Sequence, residues 1–243
     1  MGLSPLEVLY GIFSIIYCII CLITGLLIAL KYRETKQYVF LFIGLSSAGI
    51  ASSFWSSSIS FLLAVITGEG LSERPYFFIG NFFTPVALLS WIIGLTYLIY
   101  RKYKKIIILI YVITGVIFEV YLVYYLYIFQ DPSVIGILKS VVDVEYIGFT
   151  RYYLIFAIIT TDITGIHFSI QGIKSADDET KLKAKFLIIG FISFTVGIIA
   201  DGFMTLDFIT IPIIRLLLIS SAIEFYIGWT LPKSVKKLFL KTE

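Results

Sequence analysis

The sequence predicts an all-α, polytopic membrane protein with seven transmembrane helices, its N-terminus outside and its C-terminus cytoplasmic. Three observations support this fold class: a strongly apolar composition, seven long apolar runs, and basic residues on alternate loops. Hydrophobic residues make up 59% of the chain and charged residues 14%, whereas an ordinary soluble domain has about 25% charged residues. So few polar residues cannot cover a water-facing surface, and we expect no nucleic-acid partner despite the net charge of +3.

Each apolar run is long enough to cross a hydrocarbon core of roughly 30 Å, which needs about 20 helical residues. We place the spans at 8–30, 38–66, 77–100, 106–129, 151–173, 185–206 and 212–231. Together they form one domain, 1–231, which a short basic cytoplasmic tail, 232–243, follows. The residues before the first run hold no basic cluster and no small-residue cleavage site, so we expect a retained helix rather than a cleaved signal peptide.

The lysines and arginines sort onto alternate loops. Most of the 19 basic residues lie in the loops after spans 1, 3 and 5, at the start of span 6, and in the tail. Only Arg74, Lys139 and Arg151 lie on the opposite side, and Arg215 lies within span 7. Short loops rich in lysine and arginine remain in the cytoplasm, which gives the orientation above and predicts a multi-pass protein of the cell membrane.

The longest loop of the expected outer side, about 130–150, carries apolar residues at helical spacing from Val134 to Val142. This pattern predicts an interfacial helix lying over the outer mouth of the bundle, either as a lid or as a passive cap. The most polar segment, KSADDETKLKA, joins spans 5 and 6. A solvated connector and a partner-docking loop both fit it.

Ionisable residues inside spans are costly and mark function or obligate pairing. The candidates for ligand binding or switching are Glu119, Asp162, Asp201 and Arg215, with His167 and Asn81 lining the same pocket. Asp201 and Arg215 lie at comparable depth near the outer ends of spans 6 and 7, so we predict an ion pair between them. That pair is either a static clamp or a switchable lock. Glu119 and Asp162 lie near mid-membrane and require a shared proton, a bound cation or Arg215 to offset their repulsion.

A second group of polar residues, Glu224, Ser53 and Ser57, is interpreted as structural or as lying in the inner half of the membrane. Glu224 lies in the inner half of span 7 and is expected to pack against a seam of small polar residues along span 2, which includes Ser53 and Ser57. Small residues of this kind let helices approach closely in membranes. Pro85 is expected to kink span 3.

No catalytic residue, metal site or cofactor is predicted. Cys18 and Cys21 lie on one face of span 1, and a zinc site there would need two more ligands. A single histidine argues against the multi-histidine membrane hydrolases. Retinal needs a lysine in the last helix, where this chain has Arg215, whose guanidinium stays protonated and cannot form the Schiff base. A membrane enzyme acting on lipid is left as a remote alternative.

The end of the sequence, IIRLLLISSAIEFYIGWTLPKSVKKLF, resembles the last helix and cytoplasmic exit of uncharacterised prokaryotic seven-helix membrane proteins. It also resembles the seven-helix sensor regions that precede some histidine kinases, in Glu224, Tyr226, Gly228 and Pro232. The resemblance implies a prokaryotic sensor. The sequence ends soon after this helix, so we expect no kinase, cyclase or nucleotide-binding output domain in it.

Three function classes remain open from the sequence. The first is a receptor-like or sensor protein that binds a small ligand, ion or proton in an outward-facing polar pocket. Its partners would be the lipid bilayer and a cytoplasmic signalling protein or another membrane subunit. The second is a secondary transporter or channel for an ion or small solute, and the third is a structural subunit of a membrane complex.

Overall fold

The structure is a computed structural model that describes residues 2–204 and 207–240. Within them lie ten α-helices and one small β-hairpin, whose bounds are α1 Pro5–Thr35, α2 Val39–Gly49, α3 Ser52–Thr67, α4 Glu73–Asn81, α5 Thr84–Leu98, α6 Lys104–Val123, β1 Gly136–Leu138, β2 Val144–Tyr146, α7 Gly148–Ile173, α8 Asp178–Phe203, α9 Thr210–Thr230 and α10 Lys233–Phe239. The last residues of predicted span 6, 205–206, and the end of the tail, 241–243, lie outside the described residues.

In the part of the chain that the structure describes, six helices are long and apolar enough to cross a membrane, or seven if the bent pair α2 and α3 counts as one span. This agrees with a polytopic helical membrane protein. Span 1 corresponds to α1, span 2 to α2 and α3, and span 3 to α4 and α5. Spans 4 to 7 correspond to α6, α7, α8 and α9 in order.

Local side chains fix where the helices begin and end. Ser4 and Glu7 form a capping box at α1: Ser4 N–H donates to Glu7 Oε2 at 2.8 Å, and Glu7 N–H donates to Ser4 Oγ at 3.3 Å. These bonds satisfy backbone donors that a helix start leaves unpaired. Asp177 does the same for α8, because Thr180 N–H donates to its Oδ2 at 2.9 Å. At the other end of α1, Lys36 adopts a left-handed conformation with φ 56°.

Two spans are interrupted, and their interruptions lie side by side. The axes of α2 and α3 differ by 48° across residues 50–51, and α4 and α5 are separated by turn residues 82–83. Pro85, at the start of α5, lacks the N–H that would continue the ladder from α4, which agrees with the predicted kink. Ser52 Oγ and Thr84 Oγ1, just past the two breaks, are 3.3 Å apart.

Six spans form a closed ring, in the order α1, α2, α5, α7, α8 and α9, with α9 packed back against α1. Aromatic side chains fill its centre: Trp91 of α5 lies 5.6 Å from Phe191 of α8 and 6.2 Å from Trp229 of α9, measured between ring centroids. Between α1 and α2 the backbones touch, because a Cβ added at Gly25 would fall 2.6 Å from the Gly44 carbonyl oxygen. Glycine at this crossing is therefore required by packing.

Helix α6 lies outside this ring. It packs on α5 and contacts α7 through stacked rings, Tyr111 on Phe156 and Phe118 on Tyr153. Its outer surface is apolar and exposed, over Ile106, Leu109, Ile110, Ile113, Val116, Ile117 and Val120. Such a face is suited to contact with lipid, because soluble proteins rarely expose a continuous apolar surface of this kind to water.

The predicted interfacial helix over 130–150 is wrong. The segment forms an antiparallel β-hairpin in which Gly136 pairs with Tyr146 and Leu138 with Val144. The N–H groups of Lys139 and Ser140 both donate to the Asp143 carbonyl and close the turn. A short, β-branched apolar run fits a strand as well as a helix, and here valine and isoleucine favour the strand.

The bundle has two faces. We name the face with the loops after α1, α5, α7 and α9 the basic face, and the one with the β-hairpin the hairpin face. Val142 at the hairpin tip is buried against Tyr10, Phe61 and Ile211, so the hairpin covers the ends of α1, α3 and α9. The predicted orientation places the hairpin face outside.

Candidate binding site beneath the hairpin

Arg215 is the largest fully buried side chain among the described residues, with 0% of its surface exposed. Its Nη1 lies 2.9 Å from Oδ1 of Asp201, which is 17% exposed. Gly197 faces Leu218, and the lack of a side chain there brings α8 and α9 close enough for the two charges to meet. The predicted Asp201–Arg215 ion pair is confirmed.

Two aromatic rings hold the guanidinium between them. The Arg215 Cζ lies 4.6 Å from the ring centroid of Tyr10 on α1 and 4.3 Å from that of Phe54 on α3. A cation over an aromatic face is stabilised by the ring's electron distribution, the more so when water is excluded. The rings therefore add to Asp201 in offsetting the cost of a buried charge. We name Arg215, Asp201, Tyr10 and Phe54 the Arg215 site.

The site leaves polar atoms without hydrogen bonds. Nη1 of Arg215 lies 2.9 Å from Asp201 Oδ1, and the guanidinium also interacts with the Tyr10 hydroxyl. Two such partners cannot satisfy its five N–H groups, and Nε, Nη1 and Nη2 make no well-aligned hydrogen bond with the described part of the chain. Ser14 Oγ, one turn after Tyr10 along α1, is likewise buried without a hydrogen-bond partner among the described residues, and the buried Tyr17 hydroxyl faces only the Cys21 thiol. Buried polar groups in native proteins are normally paired with protein or ordered water. A polar ligand that forms hydrogen bonds with these atoms would therefore bind favourably here.

The hairpin brings another carboxylate to the site. Asp143 follows the buried tip residue Val142, and its charge interacts with those of Arg215 and Asp201. Burial raises the pKa of the Asp143 carboxyl above its usual range, against the opposing effect of Lys139. The hairpin thus supplies both an apolar plug and a titratable group.

A cluster of hydroxyls lies beside the Arg215 site, under the same hairpin. Ser57 Oγ and Tyr76 OH are 2.8 Å apart, and the buried Tyr146 hydroxyl interacts with the side chains of Asn81 and Ser56. Asn81 is fully buried and donates from Nδ2 to the Phe77 carbonyl at 2.8 Å. Asn81 therefore lies in the hairpin half, and so does Ser57, which the sequence interpretation had placed in the inner half.

Glu119 and Asp162 do not join the Arg215 site. Asp162 Oδ2 accepts a hydrogen bond of 2.6 Å from Thr195 Oγ1, and both Glu119 carboxylate oxygens are buried without a hydrogen-bond partner in the described chain. Neither carboxylate interacts with a charged group in the part of the chain that the structure describes. Of the three ways to offset the charge of Glu119 and Asp162, pairing with Arg215 is therefore wrong. Equal depth suggested it, but the two acids lie on faces of α6 and α7 that meet other helices.

His167 also lies elsewhere, near the basic face. Its exposed ring has Nδ1 2.6 Å from Tyr100 OH and Nε2 3.1 Å from Gln171 Nε2. These contacts link the end of α5 to the end of α7. His167 does not line a pocket on the hairpin face, because nineteen residues of helix separate it from the start of α7.

Glu224 takes a structural position, although its neighbour differs from the expected one. Its Oε1 accepts a hydrogen bond of 2.9 Å from Ser220 Oγ, and its Cβ lies against Gly190 of α8. The expected packing on the serine seam of span 2 is replaced by this contact with α8. Ser53, at the start of α3, is half-buried, and its carbonyl accepts from Ser56 Oγ at 3.3 Å.

The sequence analysis did not identify Tyr10, Phe54 or Asp143. The two aromatic residues carry no local signal, since many tyrosines and phenylalanines occur in the spans. Asp143 did carry one, as an acidic residue between Val142 and Val144. Among the described residues, no group of His, Cys, Asp and Glu is arranged to hold a metal ion.

Comparison with known proteins adds no family to this picture. No family model, no curated protein and no solved structure matches the chain. The function is therefore argued from the Arg215 site itself.

Proposed function

We propose that the protein is a receptor-like or sensor membrane protein that binds a small bipolar solute at the Arg215 site, beneath the hairpin. The observation that carries this proposal is the fully buried guanidinium beside two aromatic rings, whose five N–H groups face only one carboxylate, Asp201, and one hydroxyl, Tyr10, among the described residues. A structural clamp has no need to keep such donors unpaired, because each one costs free energy when it is buried.

The charges around the guanidinium favour the class of ligand. Arg215 has Asp201 beside it and Asp143 nearby, so a simple anion meets two negative charges and a simple cation meets the guanidinium. A solute with one acceptor group and one donor group satisfies both. The buried hydroxyl of Ser14, which has no hydrogen-bond partner among the described residues, provides a further hydrogen bond.

The proposed mechanism is a competition for Arg215. The acceptor group of the solute binds the guanidinium in place of Asp201, which frees α8 to shift against α9 and displaces the hairpin tip. A ligand changes the population of two states only through its different affinity for them, and an exchanged ion pair provides such a difference. A cytoplasmic partner would read the shift at the basic face.

The test is ligand-dependent stabilisation of the purified protein in lipid nanodiscs, with the free amino acids as bipolar probes. A bound probe stabilises the folded protein by RT ln(1 + c/Kd), where c is the probe concentration, so the melting temperature rises with that concentration. We expect a stabilising probe to lose its effect in Arg215→Lys, which keeps the positive charge but lacks the planar fork of N–H donors of the guanidinium. The matched control is Glu119→Gln, a buried carboxylate away from the site, in which the effect persists. Equal stabilisation in all three proteins, or none in the wild type, would contradict the proposal.

A transporter remains the second candidate, because of Glu119. Its buried and unpaired carboxylate is the kind of intramembrane group that proton- or cation-coupled carriers use. Uptake of the stabilising probe into proteoliposomes decides between the two: flux that Glu119→Gln abolishes favours transport, whereas binding without flux favours the receptor.

A further inference from the structure

A groove of about 440 Å³ opens on the basic face, between the first turns of α8 and the short helix α10. Its walls are apolar and its rim carries charge. The walls include Leu182, Phe186 and Phe239, and the rim includes Lys181 and Lys185. This groove lies at the opposite end of α8 from Asp201 and takes no part in the proposed solute site.

Two contacts fix the walls of the groove relative to one another. Lys236 of α10 forms an ion pair with Glu179 of α8. The rings of Phe186 and Phe239 meet edge to face, with centroids 5.6 Å apart and planes at 86°. The groove is therefore built by the docking of α10.

The rim of the groove carries one unmatched positive charge. Lys181 Nζ lies 2.8 Å from Asp178 Oδ1, so these two charges neutralise each other. Lys185, one turn further along α8, is exposed and has no acidic partner among the described residues. A negative group entering the groove therefore meets Lys185 directly.

An apolar stripe leaves the groove along α8. The stripe consists of Ile189, Ile192, Val196 and Ile199, whose side chains are 48%, 53%, 51% and 53% exposed. From Lys185 to Ile199 the helix rises about 21 Å at 1.5 Å per residue. One leaflet of a bilayer is about 15 Å deep in its hydrocarbon part, so the stripe is long enough to contact an acyl chain over its whole length.

We propose that this groove binds an anionic phospholipid. The headgroup phosphate pairs with Lys185, the glycerol region lies between Phe186 and Phe239, and one acyl chain follows the stripe of α8. Basic pockets at the ends of membrane helices bind acidic headgroups in this manner. A soluble acidic peptide would pair with Lys185 equally well but would leave the stripe uncovered, and so the combination of rim and stripe favours a lipid.

The experiment measures lipid bound to the whole protein. The protein is reconstituted in vesicles of phosphatidylcholine with a minor fraction of phosphatidylglycerol, extracted in mild detergent, and analysed by native mass spectrometry. The variants are Lys185→Glu and its matched control Lys183→Glu. Lys183 carries the same charge in the same turn and does not line the groove, so both variants change the general attraction to an anionic membrane equally.

We expect Lys185→Glu to lower the bound phosphatidylglycerol about tenfold, from the value of a basic residue near an anionic surface, and Lys183→Glu to change it little. Phosphatidylcholine binding is expected to be the same in all three proteins. Equal losses of bound phosphatidylglycerol in the two variants would show that only the surface charge matters, which contradicts a specific site. Unchanged binding in Lys185→Glu would also contradict the proposal. A further variant, Ile192→Ser, reports the stripe: loss of bound lipid supports the acyl-chain path, and no loss contradicts it.

Discussion

At the scale of single residues, Arg215 shows how this bundle accommodates a full charge in an apolar environment. One carboxylate lies beside it and two rings cover its faces. Each of these partners comes from a different helix, α8, α1 or α3. The guanidinium therefore joins three helices to α9, and its loss would weaken the packing of all three on α9.

A double-mutant cycle measures this coupling. Asp201→Ala alone leaves a buried cation without its carboxylate, and Arg215→Ala alone leaves the carboxylate without its cation; breaking a buried pair in this way costs about 3–5 kcal/mol. We expect the double variant to be less destabilised than the sum of the two, in thermal or chemical unfolding in detergent. Strict additivity would mean that the two side chains do not interact. Tyr10→Phe retains the ring but removes the hydroxyl that interacts with Arg215, and it is expected to cost less than either alanine variant.

Sequence reasoning reached the Asp201–Arg215 pair but not the rest of the site. The pair follows from depth, because two helices joined by a short turn bring residues near that turn together. Tyr10 and Phe54 come from helices far away in sequence, and only the packing of α1 and α3 places their rings on Arg215. Glu119 and Asp162 show the limit of the same argument, since equal depth does not determine which way a side chain points.

At the scale of elements, the hairpin is held by one ion pair between its own strands and by another to α7, in addition to the packing of its tip on α1, α3 and α9. Glu145 Oε2 lies 3.0 Å from Lys139 Nζ, and its Oε1 lies 2.7 Å from Arg151 Nη2. Hydrogen bonding from Lys139, and then from Arg151, lowers the pKa of the Glu145 carboxyl. Burial acts in the opposite direction at Asp143 and raises its pKa. The two acids of the hairpin therefore respond to pH with opposite sign.

These opposite shifts predict how the closed hairpin responds to acid. Because the pKa of Asp143 is raised, its protonated form stabilises the closed hairpin, and this contribution is lost as pH rises through the raised pKa. Because the pKa of Glu145 is lowered, its ionised form stabilises the closed hairpin at higher pH, and this contribution is lost as pH falls. In Glu145→Gln we expect protection of the 136–146 amides to increase from about pH 7 to about pH 4, near the ordinary carboxyl range. In Asp143→Asn we expect it to decrease.

Hydrogen exchange followed by mass spectrometry measures this protection, after correction for the intrinsic exchange rate at each pH. The other charges near Asp143 are Lys139, Arg215 and Asp201, which both variants retain. The same pH response in the two variants would contradict the assignment of opposite shifts.

Helices were more predictable than the hairpin because their signals are longer. A span needs a long apolar run, and Ser4 with Glu7 or Asp177 with Thr180 marks where a helix starts. The hairpin has three residues in each strand, so its few apolar positions fit a helical period by coincidence. The bend between α2 and α3 carries no proline. It lies next to Gly49, which packs against Phe83 and Ala87 of the neighbouring span, and hydropathy does not predict such a contact between spans.

At the scale of the whole molecule, hydropathy predicts a multi-spanning helical protein but does not predict the order of the spans in the ring. All seven spans are apolar on several sides, and their neighbours are chosen by small residues that permit contact, as Gly25 and Gly44 do between α1 and α2. The exclusion of α6 from the ring likewise follows from packing. Composition alone gives α6 and α1 nearly the same mean hydropathy, 2.6 and 2.7.

The orientation is testable by cysteine labelling in intact cells. Cys18 and Cys21 are both buried and not bonded to each other, and replacing both by alanine gives a background for single cysteines. With a membrane-impermeant maleimide, we expect Ser133→Cys, near the hairpin, to be labelled and Ser234→Cys, in α10, to be labelled only after the membrane is opened. The reverse pattern would place the Arg215 site on the cytoplasmic side.

The two adjacent interruptions, at 50–51 and 82–83, divide the bundle by depth. On the hairpin side of them, α3 and α4 pack on each other, whereas on the basic side α2 packs on α5. A tilt of α3 and α4 together would thus be absorbed at the two interruptions and would not reach the loops of the basic face. Helices α1, α8 and α9 have no such joint and run from one face to the other. Since these three converge on the buried guanidinium, a displacement of the hairpin face at Arg215 would be carried along them to the basic face.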